Sequence, residues 1–188
     1  MMTSNELINL INWNDIGIGT CRLYVKLFER EVLFTFFSSD IKRPKISEKM
    51  FETLTDVLKI ETNQLDLIKD LLWEECLFAF QVADYGCIPN NGETHLQAHL
   101  REFGIENRED AYQKSELVKM EIQIHCDSDN LAARYAEIKI NSASDNLISI
   151  IVKNGEIIDF DDNGTYLGQF EDESTFARVK RNNVLSRI

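Results

Sequence analysis

Apolar positions recur along this chain with two different periods, and the period changes twice. Between residues 10 and 37 the spacing is two: Ile16 and Ile18, then Leu23, Val25 and Leu27, then the run VLFTFF from Val32. Alternation of this kind predicts half-buried strands, here a meander of two or three. Arg22 and Lys26 stay polar within it, which predicts one wet face. The polar stretch from Phe28 to Val32 is the expected turn.

From Ser47 the period becomes helical. Met50, Phe51, Leu54, Val57 and Leu58 form one apolar stripe, and Ser47 can cap the start. The stretch from Leu65 to Tyr85, LDLIKDLLWEECLFAFQVADY, is apolar almost all round. Only Asp66, Asp70, Glu74, Leu77, Gln81 and Asp84 fall on its thin polar stripe. Such a helix must be covered on most of its circumference, so it is the expected hub of the core. Thr62 or Asn63 can cap its start, and Gly86 can take the left-handed position after its end. Glu75 lies opposite the polar stripe, among Ile68, Leu72, Ala79 and Val82. A carboxylate there must be buried and hydrogen-bonded, to a Tyr, a Trp or a backbone amide. Thr94 and Gly104 bracket a short helix, HLQAHLREF, and residues 105 to 116 hold one or two further helical turns.

Period two returns at Leu117. LVKMEIQIHC and RYAEIKINS alternate, and LISIIVKNGEIIDF is a hairpin whose Asn154-Gly155 suits a type I′ turn. Residues 161 to 164 (DDNG) predict another turn, TYLGQF a last short strand, and 174 to 188 a short helix with a frayed end. Strands, then helices, then strands predict an α+β fold. The expected architecture is an antiparallel sheet of about six to eight strands, with helices on one face and one long central helix. Residues 1–188 form a single expected domain: an N-terminal meander (10–37), a helical segment (47–115) and a C-terminal meander (117–170).

Composition narrows the function. Of 188 residues, 44% are hydrophobic, enough for a core without disulfides or metal. The net charge of −12 opposes direct binding of nucleic acid and favours a basic protein partner. The four cysteines, at 21, 76, 87 and 126, show no close pairing. With no basic, apolar leader in MMTSNELINLINWND and no run of membrane-spanning length, they point to a reducing cytoplasm.

Candidate chemistry is sparse. His95 and His99 lie four apart on a predicted helix and can face one metal, as a metal-dependent hydrolase requires. Leu96, however, stands where a zincin has Glu. Asp159, Asp161, Asn163 and Gly164 match the first half of an EF-hand loop, but Phe170 occupies the place of its bidentate Glu. Nucleophile and phosphate-loop motifs do not occur. The reading is therefore no catalytic residue, no metal and no cofactor. The most distinctive charged feature is acidic: Glu156, Asp159, Asp161, Asp162, Glu171, Asp172 and Glu173, with no Lys or Arg from Gly155 to Phe176. Asp159, Asp161, Asp162, Glu171, Asp172 and Glu173 are the candidate docking residues for a cationic partner. The same charges also suit a solvated hairpin edge protected from aggregation.

From the first meander to Phe160 the chain resembles a group of uncharacterised bacterial domains. They occur among immunity proteins of polymorphic toxin and contact-dependent growth inhibition systems. The likeness rests on the opening meander, the central LLWEECLFAF and the closing LISIIVKNGEIIDF. Before that hairpin, residues 141–146 read Asn-Ser-Ala-Ser-Asp-Asn, where many members carry Trp-Asp-x-Glu-His-Gly. The resemblance implies a small cytoplasmic protein that inactivates a cognate toxin by binding it, without catalysis. A hydrolase using His95 and His99, or a non-catalytic adaptor, is the alternative.

Overall fold

A computed structural model describes residues 3–175 and 177–187. Met1, Met2, Phe176 and Ile188, which belong to the expected leader-free terminus and tail helix, lie outside the described residues. Seven strands form one sheet in sequence order. These are β1 (Asn12–Trp13), β2 (Ile18–Val25), β3 (Arg30–Phe37), β4 (Glu121–His125), β5 (Tyr135–Asn141), β6 (Leu147–Lys153) and β7 (Glu156–Asp162). All neighbours are antiparallel except β3 and β4, which run parallel with Leu33 opposite Glu121 and Phe37 opposite His125. The helices are α1 (Ser4–Leu10), α2 (Glu48–Leu58), α3 (Leu65–Val82), α4 (His95–Phe103), α5 (Arg108–Lys114) and α6 (Ala177–Leu185). The fold is α+β, as the segregated periods predict. A strand separated from its neighbour by a long helical insert can return at either end of the sheet, which is how one parallel pair enters.

Local chemistry sets most boundaries. Ser47 accepts the Met50 amide at 3.0 Å and starts α2. Thr94 and Gln97 form a capping box on α4, and Gly104 closes it at φ 64°. Asn154 and Gly155 take φ 51° and 85°, the two left-handed positions of a type I′ turn. A Cβ on Gly155 would stand 3.2 Å from the Asp56 Cβ, so glycine also admits α2 to the turn.

Four boundaries differ from expectation. A 3-10 turn, Thr62–Gln64, leads into α3, so no side chain caps it. The helix ends at Val82 with Ala83 extended, and the left-handed Gly86 belongs to the loop beyond. Leu117–Lys119 is a 3-10 turn that leaves Val118 89% exposed, so β4 begins only at Glu121 and Cys126 starts a second such turn. TYLGQF is not a strand: Leu167–Glu171 coils as 3-10 and seals Leu167 and Phe170 against Tyr135 and Ile151.

The main core lies between the sheet and α2 and α3. Phe34, Phe36, Ile122, Ile138 and Ile150 from the sheet meet Met50, Leu54, Ile68 and Leu72 from the helices, all essentially inaccessible. From Leu71 to Phe80 no residue of α3 is exposed. Its polar stripe is answered by α5: Arg108 donates to Asp70 at 2.8 Å and Asp66 at 3.3 Å.

Candidate functional site

The acidic segment does not form one uniform surface. Asp159 is fully buried, which removes it from any docking face. Its partner is Arg181 of α6, which also donates to Glu74 at 3.0 Å and the Phe160 carbonyl at 2.9 Å. The Arg181 guanidinium lies 3.6 Å from the centre of the Phe160 ring. A β-bulge between Ile151 and Val152 shifts the β7 register, and α6 then closes over that edge strand. The half EF-hand is dismantled by the same contacts, since its first ligand neutralises a guanidinium.

Asp161 is half-buried and accepts from Thr165 at 2.7 Å and Gln169 at 2.8 Å, bracing the loop after β7. Glu171 is exposed but tied down. It accepts the Ala132 amide at 3.0 Å, the Ala133 amide at 3.3 Å and the Tyr135 hydroxyl at 2.7 Å. The Tyr135 hydrogen bond leads the effects that hold its carboxyl below the ordinary range. Burial, then the Glu171 carboxylate, pushes the Tyr135 phenol up. Asp162, Asp172 and Glu173 are exposed. Asp172 accepts the Ser174 amide at 2.9 Å, and that backbone contact lowers its carboxyl.

His95 and His99 do not converge on a metal. His99 is buried, its Nδ1 lies 3.1 Å from the Phe80 carbonyl, and its Nε2 accepts the Tyr85 amide at 3.2 Å. Both nitrogens are thus engaged in holding the chain after α3, while His95 is exposed. Among the described residues no three His, Cys, Asp or Glu side chains group as metal ligands.

Glu75 is 3% exposed and hydrogen-bonded, as its helical phase requires. Its partners are side chains of the β5–β6 turn rather than the expected ring or amide. Ser144 donates at 2.7 Å and Asn146 at 3.0 Å, and Asn146 also reaches the Tyr85 hydroxyl at 3.0 Å. The network borders a cleft of about 640 Å³ that also meets Val82, Leu147, Asp161 and Arg181.

The sheet's other face holds a site that sequence reading passed over. Gln123, His125, Glu137 and Lys139 stand on β4 and β5 under a pocket of about 570 Å³, walled by the Cys126–Asn130 turn and residues 163–167. Glu137 and Lys139 are about 5% exposed and paired, and Lys139 also contacts Ser149, each at 2.6 Å. His125 Nε2 lies 3.4 Å from Glu137, and its ring stacks on Phe37 at 4.1 Å. Burial leads the effects on His125 and lowers its pKa, against the opposing pull of Glu137. The polar letters of EIQIH and AEIKI, in register on adjacent strands, were the available signal; they read as an ordinary wet face. No family model, no curated protein and no solved structure matches this chain.

Proposed function

We propose that this chain is an immunity-type protein, one that binds and neutralises a cognate bacterial toxin in the cytoplasm without catalysing a reaction. The partner surface it suits is basic, as on a cationic nuclease. The observation that carries the reading is the net charge of −12, part of it on the exposed Asp162, Asp172 and Glu173. Such a field accelerates encounter with a cationic protein and repels nucleic acid competing for the same partner. The likeness to immunity domains supports the same direction. Among the described residues no helix is long and apolar enough to cross a membrane, which is consistent with a partner met away from the bilayer.

The test uses the protein encoded immediately upstream of this chain, which the reading expects to be a toxin. Mixing the two purified proteins should abolish toxin activity at one-to-one stoichiometry. Reversing Asp162, Asp172 and Glu173 to Lys should slow association by about tenfold at low salt, because steering by exposed charge is of that order. The difference should shrink toward physiological salt, where screening acts beyond about 8 Å. An upstream protein that neither binds nor loses activity would refute the reading.

A further inference from the structure

The pocket on the open face of the sheet has the size and make-up of a recognition site rather than of a leftover gap. Its volume, about 570 Å³, falls within the range of ligand-sized cavities. Its floor is built from rigid strands, not loops. The Glu137–Lys139 pair is nearly buried there, although two charges removed from water are held at a desolvation penalty. Lys139 is neutralised by Glu137, and two of its three donors are engaged. Glu137 keeps acceptor capacity on the oxygen that faces His125.

The remaining charge at the rim is negative. Asp127 lines the pocket and is exposed. An aromatic wall completes the rim: Tyr166 is 74% exposed, and its ring folds back over Gly168 so tightly that a Cβ there would lie 2.4 Å from it. Carboxylates in depth and at the rim, with a phenol face beside them, are the groups that select a guanidinium or an ammonium. An anion would meet Asp127 and an ammonium whose charge Glu137 already neutralises.

We propose that this pocket receives one cationic side chain, an arginine or a lysine, presented by the basic protein partner. The assignment rests on the proposed function for the source of that side chain, and on the pocket alone for its chemistry. The free chain, labelled with ¹⁵N, is titrated with N-acetyl-arginine amide, N-acetyl-lysine amide and, as the control, N-acetyl-glutamate amide. The two cations should give saturable shifts at His125, Asp127, Gly164 and Thr165, and the acidic probe should not. Asp127→Asn with Tyr166→Ala should weaken cation binding by about tenfold, the combined reach of one exposed ion pair and one cation–π contact. Both positions are exposed, so the fold survives the change.

No saturable shift with either cation, or equal shifts with the acidic probe, overturns the proposal. So does a basic partner that binds the double variant as tightly as the parent, and that outcome leaves the proposed function standing. A pocket that takes the cations in a chain that binds no basic protein refutes the proposed function instead, and with it the side-chain source.

Discussion

The two faces of the sheet are made by the same strands and behave as different materials. Toward α2 and α3 stand Val32, Phe34, Phe36, Ile122, Ile124, Ile138, Ile140, Ile148 and Ile150, at most 2% exposed. On the other face the same strands carry Thr35, Glu121, Gln123, His125, Glu137, Lys139 and Ser149, of which Ser149 is fully buried and Thr35, Glu137 and Lys139 nearly so. Tyr135 and Ile151, under Leu167 and Phe170, give that second face an apolar patch, and Phe37 stacks on His125 there. Burial alone therefore does not separate core from site. What separates them is whether the covered groups gain by leaving water. Leucine and phenylalanine do; a carboxylate and an ammonium only offset their desolvation against each other. One face supplies stability, and the other holds polar groups that stability does not explain.

The sharpest break of this contrast is truncation on the helix side. Phe34→Ala should cost about 3–5 kcal/mol by denaturant unfolding, whereas Gln123→Ala on the opposite face should stay within about 1 kcal/mol. Comparable losses would mean that both faces serve as core. Next comes the ion pair. Lys139→Met leaves the Glu137 carboxylate unpaired and should cost about 3 kcal/mol, while adding Glu137→Leu should recover most of it. A double variant as unstable as the single one would show the pair to be structurally indispensable.

The smallest effect is the pH response of His125. Its folded pKa is lowered, chiefly by burial, from an ordinary value near 6.5. Below that value the unfolded chain takes up a proton that the folded chain resists. The contribution is fully present above about 6.5 and is lost as pH falls through the folded value. Thermal unfolding between pH 7 and 5 should therefore show a downward slope that His125→Gln flattens. Carboxylates such as Glu171 act in the same sense, but only below about 4.5. An identical slope in the variant would assign the response to another group.

The sequence was most informative where a feature depends on residues near one another in the chain. Ser47, Thr94 and Gly104 marked helix ends through local hydrogen bonds, and Asn154-Gly155 marked its turn through two left-handed residues. Helical phase alone placed Glu75 in the interior. Its partners Ser144 and Asn146 stayed hidden, because periodicity names a face but not the neighbour across it. Asp159 shows the same limit: an aspartate in an acidic run reads as solvated until Arg181 returns from the tail to cover it. In TYLGQF the apolar residues fall at 166, 167 and 170, a spacing that suits the 3-10 turn which tucks Leu167 and Phe170 against Tyr135 and Ile151. The polar pocket was written as two wet stripes, and only the register of β4 against β5 made them one floor.

The single parallel pairing has a kinetic consequence. Every other strand contact joins neighbours in the chain, but β3 meets β4 only after the whole helical segment from residue 47 to 115 has been traversed. The two hairpin blocks on either side close short loops and can form early. Their union closes one long loop, whose entropy is recovered only when α2 and α3 are already seated on both blocks. The seam between Leu33–Phe37 and Glu121–His125 is thus the sheet pairing with the largest loop-closure entropy, and it runs beside His125 and Gln123 in the floor of the polar pocket. Every residue that lines the pocket, from Gln123 to Leu167, belongs to the C-terminal block, so the pocket can take shape before that long loop closes, and the seam adds only the Phe37 ring against His125.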